Sequence, residues 1–149
     1  MNTLFDPAAY AEVVRRVESL QPSSERHWGK MTVAQMLEHT ARALDMAIGK
    51  TPRKQAFIGK LIGWKFRKDF VGEKPFGKNG PTGPDFIVKT EPDFGRTRDK
   101  VKTFLGEFHA LGEHGCDGNV HLFFGRMTGA EWGVTQYKHM DHHLRQFGA

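Results

Sequence analysis

Apolar residues return every three or four positions in several separate stretches of the chain, and no stretch of useful length alternates with the two-residue period of a strand. The first stripe is Tyr10, Val13, Val17 and Leu20. Its helix is predicted to open where Asp6 precedes Pro7, a side-chain acceptor for the free N–H groups of the first turn followed by a residue that has no N–H to satisfy. The connector QPSSERHWGK follows, with Pro22, two serines and Gly29. Thr32 opens a second helix, because Gln35 stands where the reciprocal partner of a capping box belongs, and Gly49 stops it after Ile48. Val33, Met36, Leu37, Thr40, Leu44, Ala47 and Ile48 fall on its stripe. Residues 53–70 carry a weaker helical pattern interrupted by Gly59 and Gly63.

The stretch VGEKPFGKNGPTGPDFIVKTEP, residues 71–92, holds four prolines and four glycines in twenty-two positions. That density of breakers excludes regular structure, and a loop of that length is usually either disordered or functional. A further helix begins near Asp93, with Phe94, Val101, Phe104, Leu105, Phe108 and Leu111 at helical steps. After a glycine-rich break around Gly115 and Gly118, HLFFGRM is a short apolar approach to a second capping box, Thr128 with Glu131, and a last helix to about Phe147. Four main helices and one basic helix predict an all-α bundle in a single domain spanning residues 1–149.

Composition narrows the chemistry. Cys116 is the one cysteine, which excludes an internal disulfide and a cysteine-cluster metal site, so any metal must use histidine or carboxylate. Neither a secretory leader nor a run of eighteen apolar residues is present, and a cytoplasmic protein that does not enter a membrane is expected. The net charge of +5 draws attention to Lys50–Lys68, which holds seven basic residues and no acidic one, interleaved with Phe57, Ile58, Leu61, Ile62, Trp64 and Phe66. Two readings suit it: a core-packing helix with a basic rim, or a surface that meets phosphates or lipid head groups. The first is the expectation, with Phe57–Phe66 as the contact if the protein forms a homodimer. No aromatic-stacking or groove-reading motif supports nucleic-acid binding, which ranks last.

Eight histidines in 149 positions yield about 0.4 pairs spaced four apart by chance, so the pair His139 and His143 proves little by spacing alone. Orientation says more. With Trp132 at zero and about 100° per residue, His139 falls near 340° and His143 near 20°, on the apolar side, while Lys138, Asp141 and Arg145 fall on the opposite, solvent-like side. Two imidazoles side by side in a core need partners for both lone pairs, and a divalent ion supplies them. The alternative is one satisfied core histidine and one rim group. His39, at the edge of the second helix's stripe, is the candidate third ligand. His142 reads as a neighbour and His121 as a residue at the mouth of the site, whereas His27, His109 and His114 read as solvated.

Three blocks, WGKMTVAQMLEH (Trp28–His39), PFGKNGPTGPDF (Pro75–Phe86) and HLFFGRMTGAEWGVTQYKHMDHHLRQF (His121–Phe147), together resemble the DinB/YfiT-like superfamily of metalloenzymes and, within it, a bacterial branch of domains of unknown function. The resemblance implies an up-down four-helix bundle, with the basic helix and the long loop as additions. It also implies a divalent ion held by one histidine of the second helix and two of the fourth, positions that match His39, His139 and His143. Leu122 departs from the proline that relatives often carry after the histidine matching His121. The better-known members of that superfamily act with low-molecular-weight thiols and others have no assigned reaction, so the resemblance implies a metal-dependent transferase or hydrolase acting on a small molecule, with zinc or nickel, or else iron or manganese. Gln136 or His142 would orient ligands, Trp132 would wall the pocket, and Glu38 would point to solvent. A non-catalytic metal- or ligand-binding protein is the rival reading, followed by a binder of anionic surfaces through Lys50–Lys68.

Overall fold

Local capping chemistry sets four of the five helix starts in the computed structural model, which describes residues 2–72 and 74–149. Asp6 accepts from the backbone N–H groups of Ala8 and Ala9, both at 2.9 Å, and α1 runs over Pro7–Ser19. Thr32 and Gln35 form the reciprocal box that opens α2 (Val33–Ile48), and Gly49, at φ +78°, takes the left-handed conformation that closes it. Thr128 and Glu131 do the same for α5 (Gly129–Gln146), with a 2.8 Å bond from the Thr128 N–H back to the Glu131 carboxylate. Asp93 caps α4 (Phe94–Cys116) through the Arg96 N–H. The remaining helix, α3 (Phe57–Val71), has no side-chain cap.

The described chain is thus all-helical apart from a 3-10 turn at Pro84–Phe86 and a two-residue antiparallel pair, β1 (Val120–His121) with β2 (Gly125–Arg126), too short to leave a period in the sequence. α2 and α4 pack most closely; both also meet α5, and α1 lies against α4 and α5. Val13 and Val17, Met36, Leu37 and Leu44, Val101, Leu105 and Phe108, and Trp132, Met140 and Leu144 interleave in the common core. No described helix is long and apolar enough to cross a membrane.

Four local expectations are corrected. The basic helix starts at Phe57 rather than Arg53, because the residues before it are tied to the β1–β2 segment: the Ala56 N–H bonds the Leu122 carbonyl at 2.8 Å and the Gln55 amide bonds that of Phe123 at 3.0 Å. Nor does α3 pack its apolar stripe into the core: the residues it fully buries are Gly59 and Gly63, and Val71 at its end is the one that packs against the core. Leu111 is exposed rather than on the buried stripe, because the α4 backbone leaves helical geometry at Gly112, φ +63°, earlier than the break expected around Gly115. Lys138 is buried on a side expected to face solvent. Its ammonium donates to the carbonyls of Phe70 (2.8 Å) and Gly72 (2.6 Å), groups that the end of α3 leaves without helical partners.

The glycines of α3 face inward because the backbone of Phe123 lies where their side chains would be; a Cβ at Gly59 would overlap the Phe123 carbonyl oxygen. Gly59→Ala, which by helix propensity alone would stabilise α3 by about 1 kcal/mol, is therefore expected to destabilise the protein by about 1–3 kcal/mol. Urea unfolding of the variant checks the sign.

Candidate metal centre

His39 sits in the middle of α2, and His139 and His143 lie one turn apart on the facing side of α5. The two helices bring all three rings together: centroids are 4.9 Å apart for His39 and His139, 4.8 Å for His39 and His143, and 4.7 Å for His139 and His143. One nitrogen from each can be chosen so that all three lie within 4.8 Å of one another, close enough to hold a metal ion.

Hydrogen bonds settle the tautomers of two rings. His39 Nδ1 lies 3.0 Å from the carbonyl oxygen of Phe86, which can only accept, so Nδ1 carries the proton and Nε2 is left with its lone pair. His143 Nδ1 lies 2.9 Å from Oε1 of Gln146, and the amide is oriented by its Nε2, which donates to the Trp28 carbonyl at 2.7 Å. His143 therefore also carries its proton on Nδ1 and offers Nε2. The Nε2 atoms of His39 and His139 are 2.9 Å apart. Two nitrogens bound to one ion at about 2.0–2.1 Å and separated by about 90–110° stand about 2.9–3.4 Å from each other, so this pair has the spacing of a shared ion. The buried Nδ1 of His139 has no partner among the described residues.

Electrostatics keeps the rings neutral. Burial pushes His143 down to about 3, helped by the nearby His39 ring and opposed by the Gln146 hydrogen bond. Burial lowers His39 against the pull of the Phe86 carbonyl. It takes His139 well below the ordinary histidine range, with the neighbouring rings of His143 and His39 adding to the effect. Neutral imidazoles are the form that binds metal.

The long loop after α3 builds the surroundings, with Glu73 lying outside the described residues. It delivers the Phe86 carbonyl to His39 and places the Phe76 ring 6.4 Å from His139 and 6.3 Å from His142. A cavity of about 330 Å³ lies on that side, lined by Trp28, Phe76, Lys78, Lys138, His142 and Arg145 among others. The Lys78 ammonium stands 4.4 Å over the Trp28 ring, and the His142 ring is 5.0 Å from His143.

Several companions differ from expectation. Gln136 is buried with its amide toward the Ala43 carbonyl at 3.5 Å and makes no bond to the histidines; the orienting glutamine is Gln146, three residues after His143, a spacing visible in the sequence. Trp132 is fully buried, donates to the Asn119 carbonyl and does not line the cavity, where Trp28 stands instead. His121 packs on Trp132 and Phe70 and accepts the N–H groups of Phe123 and Phe124 on Nδ1, so it braces the hairpin rather than the cavity mouth. His109 is half-buried, stacked on Tyr10 with Nδ1 bonded to the Leu4 carbonyl, not solvated. Glu38 points away from the site, paired with Arg42 and Lys100.

A family model described as "Protein of unknown function (DUF1569)" matches residues 5–149. No curated protein and no solved structure matches the chain.

Burial, with Arg67 adding to it, pushes His121 down to about 4, and a second proton would have to displace the two N–H groups on Nδ1. A histidine whose folded pKa is depressed stabilises the fold above its unfolded value near 6.5 and loses that contribution as pH falls through the folded value. Metal-free protein should accordingly lose stability from about pH 6.5 down to about pH 4, and His121→Asn should flatten that slope whatever its effect at pH 7. Urea midpoints measured in chelator across this range test it.

Proposed function

We propose that this chain, which belongs to the DUF1569 family, holds a divalent metal ion on His39, His139 and His143 and is a metal-dependent enzyme that transforms a small molecule. The observation that carries the reading is the convergence of three neutral, mostly buried imidazoles from two helices, two of them with Nδ1 protonated and engaged so that Nε2 carries the lone pair. An ion held by these three histidines would supply the chemistry of lowering the pKa of a thiol or water and polarising an electrophile. The three blocks similar to the DinB-like superfamily support a thiol-dependent transferase or a hydrolase. On the same reading α1, α2, α4 and α5 are that superfamily's up-down four-helix bundle in one domain, with α3 added. Zinc or nickel suits three imidazoles best, with iron or manganese as alternatives.

The chain's own residues have separate tasks in this scheme. Phe86, through its carbonyl, and Gln146 hold the rings of His39 and His143 in the metal-binding tautomer. Phe76 and His142, which line the cavity and neighbour His139 and His143, and Trp28 beside His142 seat the apolar part of a substrate. Lys78 and Arg145 on the rim favour an anionic group on it.

Elemental analysis of the purified protein is expected to find about one ion per chain, lost in His39→Ala, His139→Ala and His143→Ala. Gln146→Ala, which leaves every proposed ligand in place, should weaken metal affinity by about 10–100-fold in a competition titration with a chelator. Full stoichiometric metal in all three histidine variants would overturn the site.

A further inference from the structure

α3 turns most of its large apolar side chains away from the protein, Ile62 and Phe70 being the half-buried exceptions. Phe57 is 75% exposed, Trp64 71%, Leu61 54%, Ile58 53% and Phe66 52%. Phe57, Leu61, Trp64 and Lys68 succeed one another at steps of four, three and four and so form one outward stripe, with Ile58 and Lys65 beside it. Of the seven basic residues between Lys50 and Lys68, three are paired with carboxylates of the same chain: Lys50 with Glu107, Arg53 with Asp45 and Arg67 with Glu131. The other four, Lys54, Lys60, Lys65 and Lys68, are exposed, and no described residue pairs a carboxylate with them.

The outward register is enforced. Gly59 and Gly63 let the helix backbone rest on the Phe123 carbonyl, Arg67 forks onto both carboxylate oxygens of Glu131 (3.0 and 2.6 Å), and Lys138 grips the last carbonyls of α3. Rolling the helix to hide Phe57, Leu61 and Trp64 would break all three attachments. An exposed apolar stripe held in place in this way marks a contact surface.

We propose that α3 is an interfacial helix that docks the protein on an anionic lipid surface. Phe57, Leu61 and Trp64 enter the boundary between head groups and acyl chains, while the four lysines lay their stems along it and bring their ammonium groups to lipid phosphates and carboxylates. The charge pattern selects this occupant. A second copy meeting α3 across a two-fold axis would set four unpaired lysines against the same four. A nucleic acid would answer the lysines and leave the apolar stripe in water. The surface also adjoins the histidine site, because Phe70 of α3 stacks on Phe76 at 5.0 Å, and Phe76 borders His139 and His142. The docking inference is nonetheless independent of the metal.

The test uses the full chain with vesicles of phosphatidylcholine containing about 30 mol % phosphatidylserine, and with phosphatidylcholine alone. On the anionic vesicles tryptophan emission should shift to the blue, and the shift should vanish in Trp64→Phe, which leaves Trp28 and Trp132 in place. Each of Lys60→Ala, Lys65→Ala and Lys68→Ala should lower vesicle affinity by about fivefold, and high salt should strip the protein from the surface. Leu61→Glu, on an exposed position, should abolish partition with the helical circular dichroism unchanged. The proposal is overturned by failure to bind anionic vesicles at low salt, by equal binding to neutral ones, by duplex DNA binding that survives Leu61→Glu, or by a solution dimer that Leu61→Glu dissociates.

Discussion

Three neutral imidazoles share one largely buried space between α2 and α5, and a buried nitrogen without a partner costs more than most single contacts contribute. Much of the molecule's irregular structure can be understood as the answer to that cost. The Phe86 carbonyl comes from the long loop after α3, and the tight 3-10 turn at Pro84–Phe86 sets its position. Gln146 comes from the last turn of α5, where its amide is fixed in turn by the backbone at Trp28 in the connector before α2. Two connecting segments outside the α-helices are thereby tied to the histidines, and the rings to them. The Nδ1 of His139 has no such tether among the described residues, and that ring is held by packing against His39, His143 and Phe76 instead.

α5 serves on more than one side. Its first turn supplies Glu131, which both completes the capping box and receives Arg67 from α3, so the start of one helix fixes the rotation of another. One turn from His142 it supplies Lys138, whose ammonium satisfies the carbonyls at the end of α3. Its Asp141 takes the buried Arg16 of α1 at 2.9 Å. The helix that carries two of the three site histidines is thus clamped on both flanks, which holds their rings in a fixed relation to His39.

Legibility in the sequence followed the range of the interactions. Caps are chemistry between residues three apart, and Asp6, Thr32, Asp93 and Thr128 all marked their helices correctly. Periodicity placed His39, His139 and His143 on the sides of their helices that do meet. What periodicity could not carry was a partner distant along the chain. The acceptor for His39 is a backbone carbonyl, which every residue possesses and none advertises. Lys138 has the same side chain as any solvated lysine, and the need for it arises at the end of a helix some seventy residues earlier. Gln146 was within reach of sequence reasoning, three positions from His143, yet Gln136 sat on the same side and carried equal weight.

The meaning of α3 turned on glycine. In the sequence Gly59 and Gly63 only lowered helical propensity; in the structure they choose which side of the helix faces in, because a bare backbone can approach the Phe123 carbonyl where any side chain would collide. Once those two positions point inward, geometry sends Phe57, Leu61 and Trp64 outward, with about 100° between successive residues leaving no other arrangement. A helix that only had to fill space would more readily have been built the other way, its aromatics inside and its glycines replaced. The cost of leaving so much apolar surface in water is offset elsewhere by capping carbonyls, a two-pronged ion pair and tight backbone packing, and an arrangement held that firmly against the hydrophobic effect implies that the exposed stripe meets something apolar for part of the protein's working life.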